Sequence, residues 1–309
     1  MSLDRIRLAS LHDKVMSAEQ AATFIQDGMT VGMSGFTRAG EAKAVPLALV
    51  KQAKENPLKI TLITGASLGN DLDKQLTEAG VLARRLPFQV DNTLRKAINN
   101  GEVMFIDQHL SETVEQMRNL QLKKPDVAII EAIAITEDGG IIPTTSVGNS
   151  ASFAIFAEKV IVEINTNLSP AFEGLHDIYI PSYRPTRQAI PLTQVDERIG
   201  THAINIDPSK IVGIVINNEY HDSPSTVTEP DDETQGIANH LINFFEQEVA
   251  AGRLPKDLGP LQAGIGSIAN AVLTGLKDSN FEDLVMYSEV LQDCTFELID
   301  AGKMKFASG

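Results

Sequence analysis

The sequence predicts an α/β fold built from open, mostly parallel sheets flanked by helices. Short apolar runs such as Val127–Ile130 and Lys159–Ile164 have the composition of buried strands, and segments of helical periodicity alternate with them. Aromatic residues make up only 5% of the chain and Trp is absent. The core must therefore consist mainly of Val, Ile, Leu and Ala, as in parallel sheets covered on both faces.

The first elements are read from their boundary signals. Ser17–Gln20 has capping-box spacing and predicts a helix that ends at Gly28. Met29–Met33 follows as a buried strand and leads into the glycine-bearing loop Ser34–Gly40. Val45 and Pro46 then fit a helix start, with Pro at the first helical position.

The same alternation continues along the chain. Ser111–Leu122 has helical spacing of apolar residues, and residues 166–209 form an irregular excursion rich in Pro, Arg, Tyr and Thr. Gly139 and Gly140 predict a turn before the edge strand Ile141–Pro143. Further strands are predicted at 59–64, 103–106, 127–130, 159–164 and 210–215.

A polar segment from Asn217 to Asp232 is the best linker candidate, and it predicts two domains. The first α/β domain is expected at residues 1–228, and a second is expected to begin at 229. In the second, a helix at 232–249 precedes a strand ending at Ala263, a glycine turn, a helix at 270–276 and a strand at 284–287. Only about twenty residues follow, so this domain is expected to be incomplete at 309.

Composition excludes several classes of function. The formal net charge of −15 argues against nucleic-acid binding, which needs clustered Lys and Arg. One Cys and six scattered His predict no metal site. The absence of an apolar run of about 18 residues and of a signal peptide predicts a cytoplasmic protein outside the membrane.

Two features predict a site in the second domain. The turn Gly264–Ala269 lets a ligand approach the backbone, and the helix after it offers N–H groups to an anion. Glu289 lies just beyond the carboxyl end of the strand at 284–287. Because ligands bind outside the carboxyl ends of strands in open α/β sheets, the turn and the carboxylate are expected in one pocket.

Three interpretations of this pair stay open on the pattern alone. Glu289 could be a nucleophile that attacks an acyl thioester. Alternatively, Gly264-x-Gly266-x-x-Ala269 matches the dinucleotide fingerprint of an oxidoreductase, with Glu289 holding a ribose. Finally, the glycines could simply form a tight turn and Glu289 could be a solvated carboxylate.

Longer motifs resemble those of the acetyl-CoA hydrolase/transferase family of class I CoA-transferases. They are Gln262–Val272, Met286–Asp293, Gly32–Gly40 and Pro143–Asn149. The resemblance implies that Glu289 is the catalytic glutamate. It further implies that Gly264, Ile265, Gly266, Ser267 and Ile268 contact coenzyme A, and that Ser34, Gly35 and Phe36 lie near the acyl or carboxylate pocket.

The family resemblance also implies a reaction. CoA is expected to move from acetyl-, propionyl- or succinyl-CoA to a free carboxylic acid through a glutamyl-CoA thioester, with hydrolysis of acetyl-CoA as the close alternative. CoA is then a substrate, no further cofactor is expected, and a homodimer is expected. Arg184 and Arg187, which flank Pro185, could bind a substrate carboxylate or the phosphates of CoA, or they could form a structural salt bridge. The resemblance also implies a longer protein, because family members continue past the position of Gly309 and their additional part is expected to carry further CoA contacts.

Overall fold

A computed structural model describes residues 3–222 and 230–308. The described chain divides into two compact units. Unit 1 comprises the described residues of Met1–Gln188 and Gly200–Pro224, and unit 2 those of Ala189–Ile199 and Ser225–Gly309. The domain boundary predicted between residues 228 and 229 lies outside the described residues and stays a prediction.

Unit 1 is built on one sheet. Its strands are β1 (Thr30–Met33), β2 (Ile60–Ile63), β3 (Leu82–Leu86), β4 (Met104–Phe105), β5 (Val127–Ile135), β6 (Ile141–Pro143), β7 (Lys159–Asn165) and β8 (Ile211–Asn217). Their order is β4-β3-β2-β1-β5-β7-β8, in which all neighbours are parallel. The strand β6 pairs antiparallel with β5, as expected for the edge strand after the Gly139–Gly140 turn.

Helices connect these strands. They are α1 (Ala18–Ala22), α2 (Ala44–Glu55), α3 (Leu72–Glu78), α4 (Asn92–Asn99), α5 (Leu110–Arg118) and α6 (Ser150–Phe156). Short 3-10 helices cover Leu3–Arg5, Ala9–Lys14, Pro170–Phe172 and Pro208–Lys210.

The sheet of unit 1 is buried on both faces, which confirms the predicted fold class. On β5, Val127 and Ile129 join one apolar cluster, whereas Ala128 and Ile130 join another. Successive side chains of a strand point to opposite faces, so the two clusters lie on the two sides of the sheet. All nine residues of β5 are buried, and this explains why the strand is a continuous apolar run with one exception, Glu131.

The capping box at Ser17 and Gln20 is present, but the predicted extent of the first helix was wrong. It ends at Ala22 rather than near Gly28. The N–H groups of Thr23, Phe24 and Ile25 bond to carbonyls three residues back, which is the tighter 3-10 pattern. That turn carries Ile25, which is buried, into the core.

Strand β3 was missed because two arginines interrupt its apolar pattern. Arg85 is fully buried and bonds through Nε to Oδ1 of Asp73 on α3 at 2.8 Å. A charged side chain can occupy this strand because its carboxylate partner satisfies it. A pattern of apolar residues cannot reveal that pairing.

Unit 2 contains a three-stranded parallel sheet, in which β10 (Leu284–Tyr287) lies between β11 (Met304–Ser308) and β9 (Pro260–Leu261). Its core joins apolar residues of the helices and strands, including an edge-on contact of Phe245 with Phe281 at 6.5 Å. Among the described residues, no helix is long and apolar enough to span a membrane. The elements are α7 (Asp232–Ala250), β9 (Pro260–Leu261), α8 (Ser267–Asp278), β10 (Leu284–Tyr287), α9 (Asp293–Asp300) and β11 (Met304–Ser308).

Candidate functional site

Glu289 lies just past the carboxyl end of β10, the central strand of the unit 2 sheet. The preceding residue, Ser288, is buried and anchors the strand end on both sides. Its N–H donates to the carbonyl of Ser308 at 2.8 Å, and its Oγ donates to the carbonyl of Ala263 at 3.0 Å. Glu289 itself is exposed. The carboxylate is thus held on a fixed strand end and is open to a ligand.

The glycine turn lies beside the loop that carries Glu289. Gln292 joins them, because its Nε2 donates to the carbonyl of Gly264 at 2.8 Å and its Oε1 accepts from the N–H of Gly266 at 3.4 Å. Gly266 is the N-cap of α8 and has φ of 122°, a conformation that favours glycine. A Cβ added at Gly264 would meet no atom within 4 Å. There is therefore free space at the turn for a ligand to approach the backbone.

The residues predicted to contact CoA form one exposed stretch. Gly264, Ile265, Gly266, Ser267 and Ile268 are all exposed, and the apolar side chains of Ile265 and Ile268 are 63% and 51% accessible. The structure therefore brings this stretch and Glu289 to the same end of the unit 2 sheet, as predicted. Their roles in binding and catalysis stay predictions.

Cys294, in contrast, is buried on α9. Its Sγ lies 3.5 Å from Oδ1 of Asn270, and burial raises the pKa of its thiol. A thiol in that state is a poor nucleophile.

In unit 1, the residues Ser34, Gly35 and Phe36 follow β1 at the point where the strand order reverses. Crevices at such a reversal are the usual ligand sites of open α/β sheets. Ser34 is buried; its N–H donates to the carbonyl of Ile129 at 2.9 Å and its Oγ accepts from the N–H of Glu131 at 2.9 Å. Phe36 is partly exposed.

Three loops meet at this place. The loop after β1 contacts the loop after β2 where the N–H of Arg38 donates to the carbonyl of Ser67 at 3.1 Å. It contacts the loop after β6 where Oγ of Ser146 donates to the carbonyl of Ala39 at 2.8 Å. Gly35, with φ of 125°, packs so closely that an added Cβ would lie 2.8 Å from Cβ of Glu41.

A buried ionisable cluster lies behind these loops. Nζ of Lys43 is 2.6 Å from Oε1 of Glu131 and 2.7 Å from Oδ1 of Asp222, and it also donates to the carbonyl of Glu41. Glu131 further accepts from Oγ1 of Thr144 at 2.6 Å. The side chains of Lys43 and Glu131 are inaccessible to solvent. One cation thus pairs with two carboxylates, those of Glu131 and Asp222, and bonds only to the backbone carbonyl of the third acidic residue, Glu41.

The pKa values of the cluster follow from burial and from the excess of acidic groups over the single lysine. Burial raises the pKa of Glu131 to about 7, although Lys43 and Thr144 favour its charged form. Burial likewise raises the pKa of Glu41. For Lys43, burial lowers the pKa, but Glu131 and Asp222 outweigh it and the net direction is upward. The lysine therefore stays charged while the carboxyl groups compete for it.

Three buried polar atoms near the loops have no hydrogen-bond partner among the described residues. They are Oε2 of Glu41, Nδ2 of Asn149 and Oγ of Ser150. Buried polar groups are normally paired, and such groups at a crevice are available to a ligand or an ordered water.

Sequence reasoning did not single out Glu41, Lys43 or Glu131. The available signal was Glu131, an isolated acid inside an otherwise apolar strand. Glu163 in β7 is a second such acid. A buried carboxylate needs a partner, so each of these positions indicates a polar network that the strand pattern alone does not locate.

Residues 2–216 match the model of the acetyl-CoA hydrolase/transferase N-terminal domain. The chain belongs to the acetyl-CoA hydrolase/transferase family. It is 45% identical over 307 residues to the succinyl-CoA:acetate CoA-transferase of Clostridium kluyveri, covering 99% of this chain and 57% of that protein. It is 43% identical over 315 residues to the acetyl-CoA hydrolase of Schizosaccharomyces pombe, covering 98% and 60%. The chain thus spans about three fifths of the length of these relatives.

Solved structures share the fold at low sequence identity. RipA from Yersinia pestis superposes with a TM-score of 0.69 at 18% identity, covering 97% of this chain and 65% of that chain. A 4-hydroxybutyrate CoA-transferase from Porphyromonas gingivalis gives a TM-score of 0.58 at 20% identity, covering 96% and 59%. Both are similar to this chain in fold.

Proposed function

We propose that this chain carries the nucleophile of a CoA-transferase that moves CoA from a short acyl-CoA to a free carboxylic acid. The observation that carries the proposal is the exposed carboxylate of Glu289 at the end of β10, beside the open turn at Gly264 and Gly266. The relatives named as a CoA-transferase and an acetyl-CoA hydrolase support the reaction class.

The chemistry follows from a carboxylate nucleophile. Glu289 attacks the thioester carbonyl, the C–S bond breaks and CoA leaves as a thiolate, which gives an acyl-glutamyl anhydride. The thiolate then attacks the glutamyl carbonyl and releases the acid, leaving a glutamyl-CoA thioester. An incoming carboxylate repeats these two steps in reverse, so the thioester bond is conserved.

Backbone N–H groups at the start of α8 would assist by binding negative charge. The helix dipole places partial positive charge at its N-terminus. An oxyanion or a CoA phosphate at the turn would benefit from that charge. The loop at Ser34, Gly35 and Phe36 is proposed to border the pocket of the acyl group or the free acid.

The test is intact-mass measurement after incubation with acetyl-, propionyl- or succinyl-CoA. The wild-type chain is compared with Glu289→Gln and with the control Glu282→Gln, which changes an exposed acid at the opposite end of β10. A chain extended by the remaining part of the Clostridium relative is measured in parallel. We expect a CoA adduct in the wild type and the control, mapped to Glu289, that disappears on addition of acetate or succinate.

If only the extended chain forms an adduct, the proposed role of Glu289 stands, and the contacts needed for the reaction come in part from the added residues. No adduct in either chain, or an adduct that survives Glu289→Gln, would refute the nucleophile.

Hydrolysis is the second candidate, and the 43% identity to an acetyl-CoA hydrolase favours it. Water would then attack the glutamyl-CoA thioester in place of the acid. Release of CoA from acetyl-CoA without added acid would identify the hydrolase. In both reactions CoA is a substrate and no other cofactor is needed, and we propose a homodimer.

A further inference from the structure

We propose that Arg118, Arg184 and Arg187 of unit 1 form a binding site for a phosphate group. All three guanidinium groups lie within 4 Å of one carboxylate, Glu115. Its Oε1 is 3.2 Å from Nη1 of Arg118 and 2.9 Å from Nη1 of Arg187, and its Oε2 is 3.6 Å from Nε of Arg184. Arg118 and Glu115 lie on α5, while the other two arginines come from the irregular segment after β7.

The cluster has more donors than its carboxylate can accept. Each guanidinium has five N–H groups, whereas an ionised carboxylate has about four acceptor positions. The three arginines and Glu115 together carry two excess positive charges. The salt bridge that the sequence left open as one alternative is present at Arg187, but it satisfies only a fraction of the donors in the cluster.

Arg118 provides an independent sign of a missing anion. Its side chain is only 5% exposed, and its Nε is buried without a hydrogen-bond partner among the described residues. The centroid of the Tyr183 ring lies 5.4 Å from the guanidinium carbon of Arg118, so an aromatic ring lies beside the group and forms a cation–π contact with it. A buried N–H of a charged group that lacks an acceptor is costly, and a bound anion would remove that cost.

The excess charge and the accessibility of the cluster favour a phosphate. A phosphate monoester carries close to two negative charges at neutral pH and offers three acceptor oxygens, which arginine binds in a bidentate manner. A ligand can reach the cluster from solvent, because the side chains of Arg184 and Arg187 are 71% and 31% exposed. Tyr183 is half exposed, so its ring could also stack on a nucleobase attached to the phosphate.

Isothermal titration of the wild-type chain at low salt, with inorganic phosphate and with adenosine 3′,5′-bisphosphate, tests the site. We expect saturable binding that Arg184→Gln weakens about tenfold, the equivalent of about 1.4 kcal/mol. Arg184 is the most exposed of the three, so this change should leave thermal unfolding of the free protein unaltered. Arg253→Gln is the control, since Arg253 is similarly exposed but pairs with one carboxylate, Glu248.

Tighter binding of the nucleotide would assign the site to a phosphate on a nucleotide, and equal affinities would assign it to free phosphate. No saturable binding at millimolar ligand, or equal affinity of the wild type and Arg184→Gln, would overturn the proposal. If Gly264→Ala abolishes binding and Arg184→Gln does not weaken it, the anion binds at the glycine turn, and the proposal of an arginine site is likewise overturned. The titration does not require CoA transfer, so its failure and that of the proposed function are distinguishable.

Discussion

Glu163 of β7 holds the N-terminus of α2 and therefore supports the loops at the strand-order reversal. Its Oε1 accepts from the N–H groups of Lys43 and Ala44 at 2.8 and 2.9 Å and from Nδ2 of Asn217 at 3.2 Å, and its Oε2 accepts from the N–H of Val45 at 3.1 Å. The residue is fully buried, and burial raises its pKa. Four donors leave no acceptor for a carboxylic proton, so we infer that the ionised form is the one that fits.

The substitution Glu163→Gln tests this arrangement. A glutamine can keep the oxygen at the Oε1 position, but it turns an NH₂ group toward the N–H of Val45. One hydrogen bond to a charged group is lost and one buried N–H is left unpaired, each costing roughly 1–3 kcal/mol. We expect the free energy of unfolding of unit 1 to fall by about 3 kcal/mol in urea denaturation at neutral pH, with faster hydrogen exchange at the start of α2.

The matched control is Asp91→Asn at the partly exposed cap of α4, where Oδ1 accepts from the N–H of Leu94 at 2.8 Å. Asn and Asp are equally good caps, so this variant should lose less than about 0.5 kcal/mol. A loss below about 1 kcal/mol for Glu163→Gln would refute the reasoning. It would mean that the native carboxyl group is already protonated, because a neutral acid, like the amide, keeps one carbonyl oxygen and turns a donor group toward the second position.

Three further predictions concern the cluster, the glycine turn and the buried ion pair. Burial raises the pKa of Glu131 to about 7 in the folded protein, against an ordinary 4.5. Between these two values the folded state keeps a proton that the unfolded state loses. The free energy of unfolding should therefore fall as pH rises from 4.5 to 7, by at most about 3 kcal/mol. Urea midpoints across this range should lose the part of the slope due to Glu131 in Glu131→Gln and keep the full slope in the exposed Glu137→Gln. The raised pKa values of Glu41 and Glu163 contribute the remaining slope in both variants. Gly266→Ala should destabilise unit 2 by roughly 1–3 kcal/mol in thermal or urea unfolding because its φ is 122°; an unchanged midpoint would contradict the strain argument. Asp73→Ala should cost about 3–5 kcal/mol in urea denaturation, since it leaves Arg85 buried without its carboxylate; a loss near 1 kcal/mol would indicate that water replaces the partner.

Local chemistry made several features predictable from the sequence. The capping box at Ser17, the strand at 284–287 and the glycine turn at Gly264 are encoded within a few neighbouring residues, and all of them are present. The placement of Glu289 beside that turn follows because the carboxyl ends of adjacent parallel strands share one edge of a sheet. The family resemblance likewise rests on short continuous motifs, such as Gln262–Val272 and Met286–Asp293.

The tertiary structure decided which charged residues lie inside and what they contact. Arg85, Lys43 and Glu131 are buried, and the ion pairs that they form join residues between 12 positions (Arg85 and Asp73) and 179 positions (Lys43 and Asp222) apart, so no local pattern marks the pairing. The sequence by itself therefore determined the alternation of elements and the position of the candidate nucleophile. The buried cluster at the strand-order reversal and the arginines around Glu115 depend on long-range packing, because a charge enters the interior only where distant segments bring its partner.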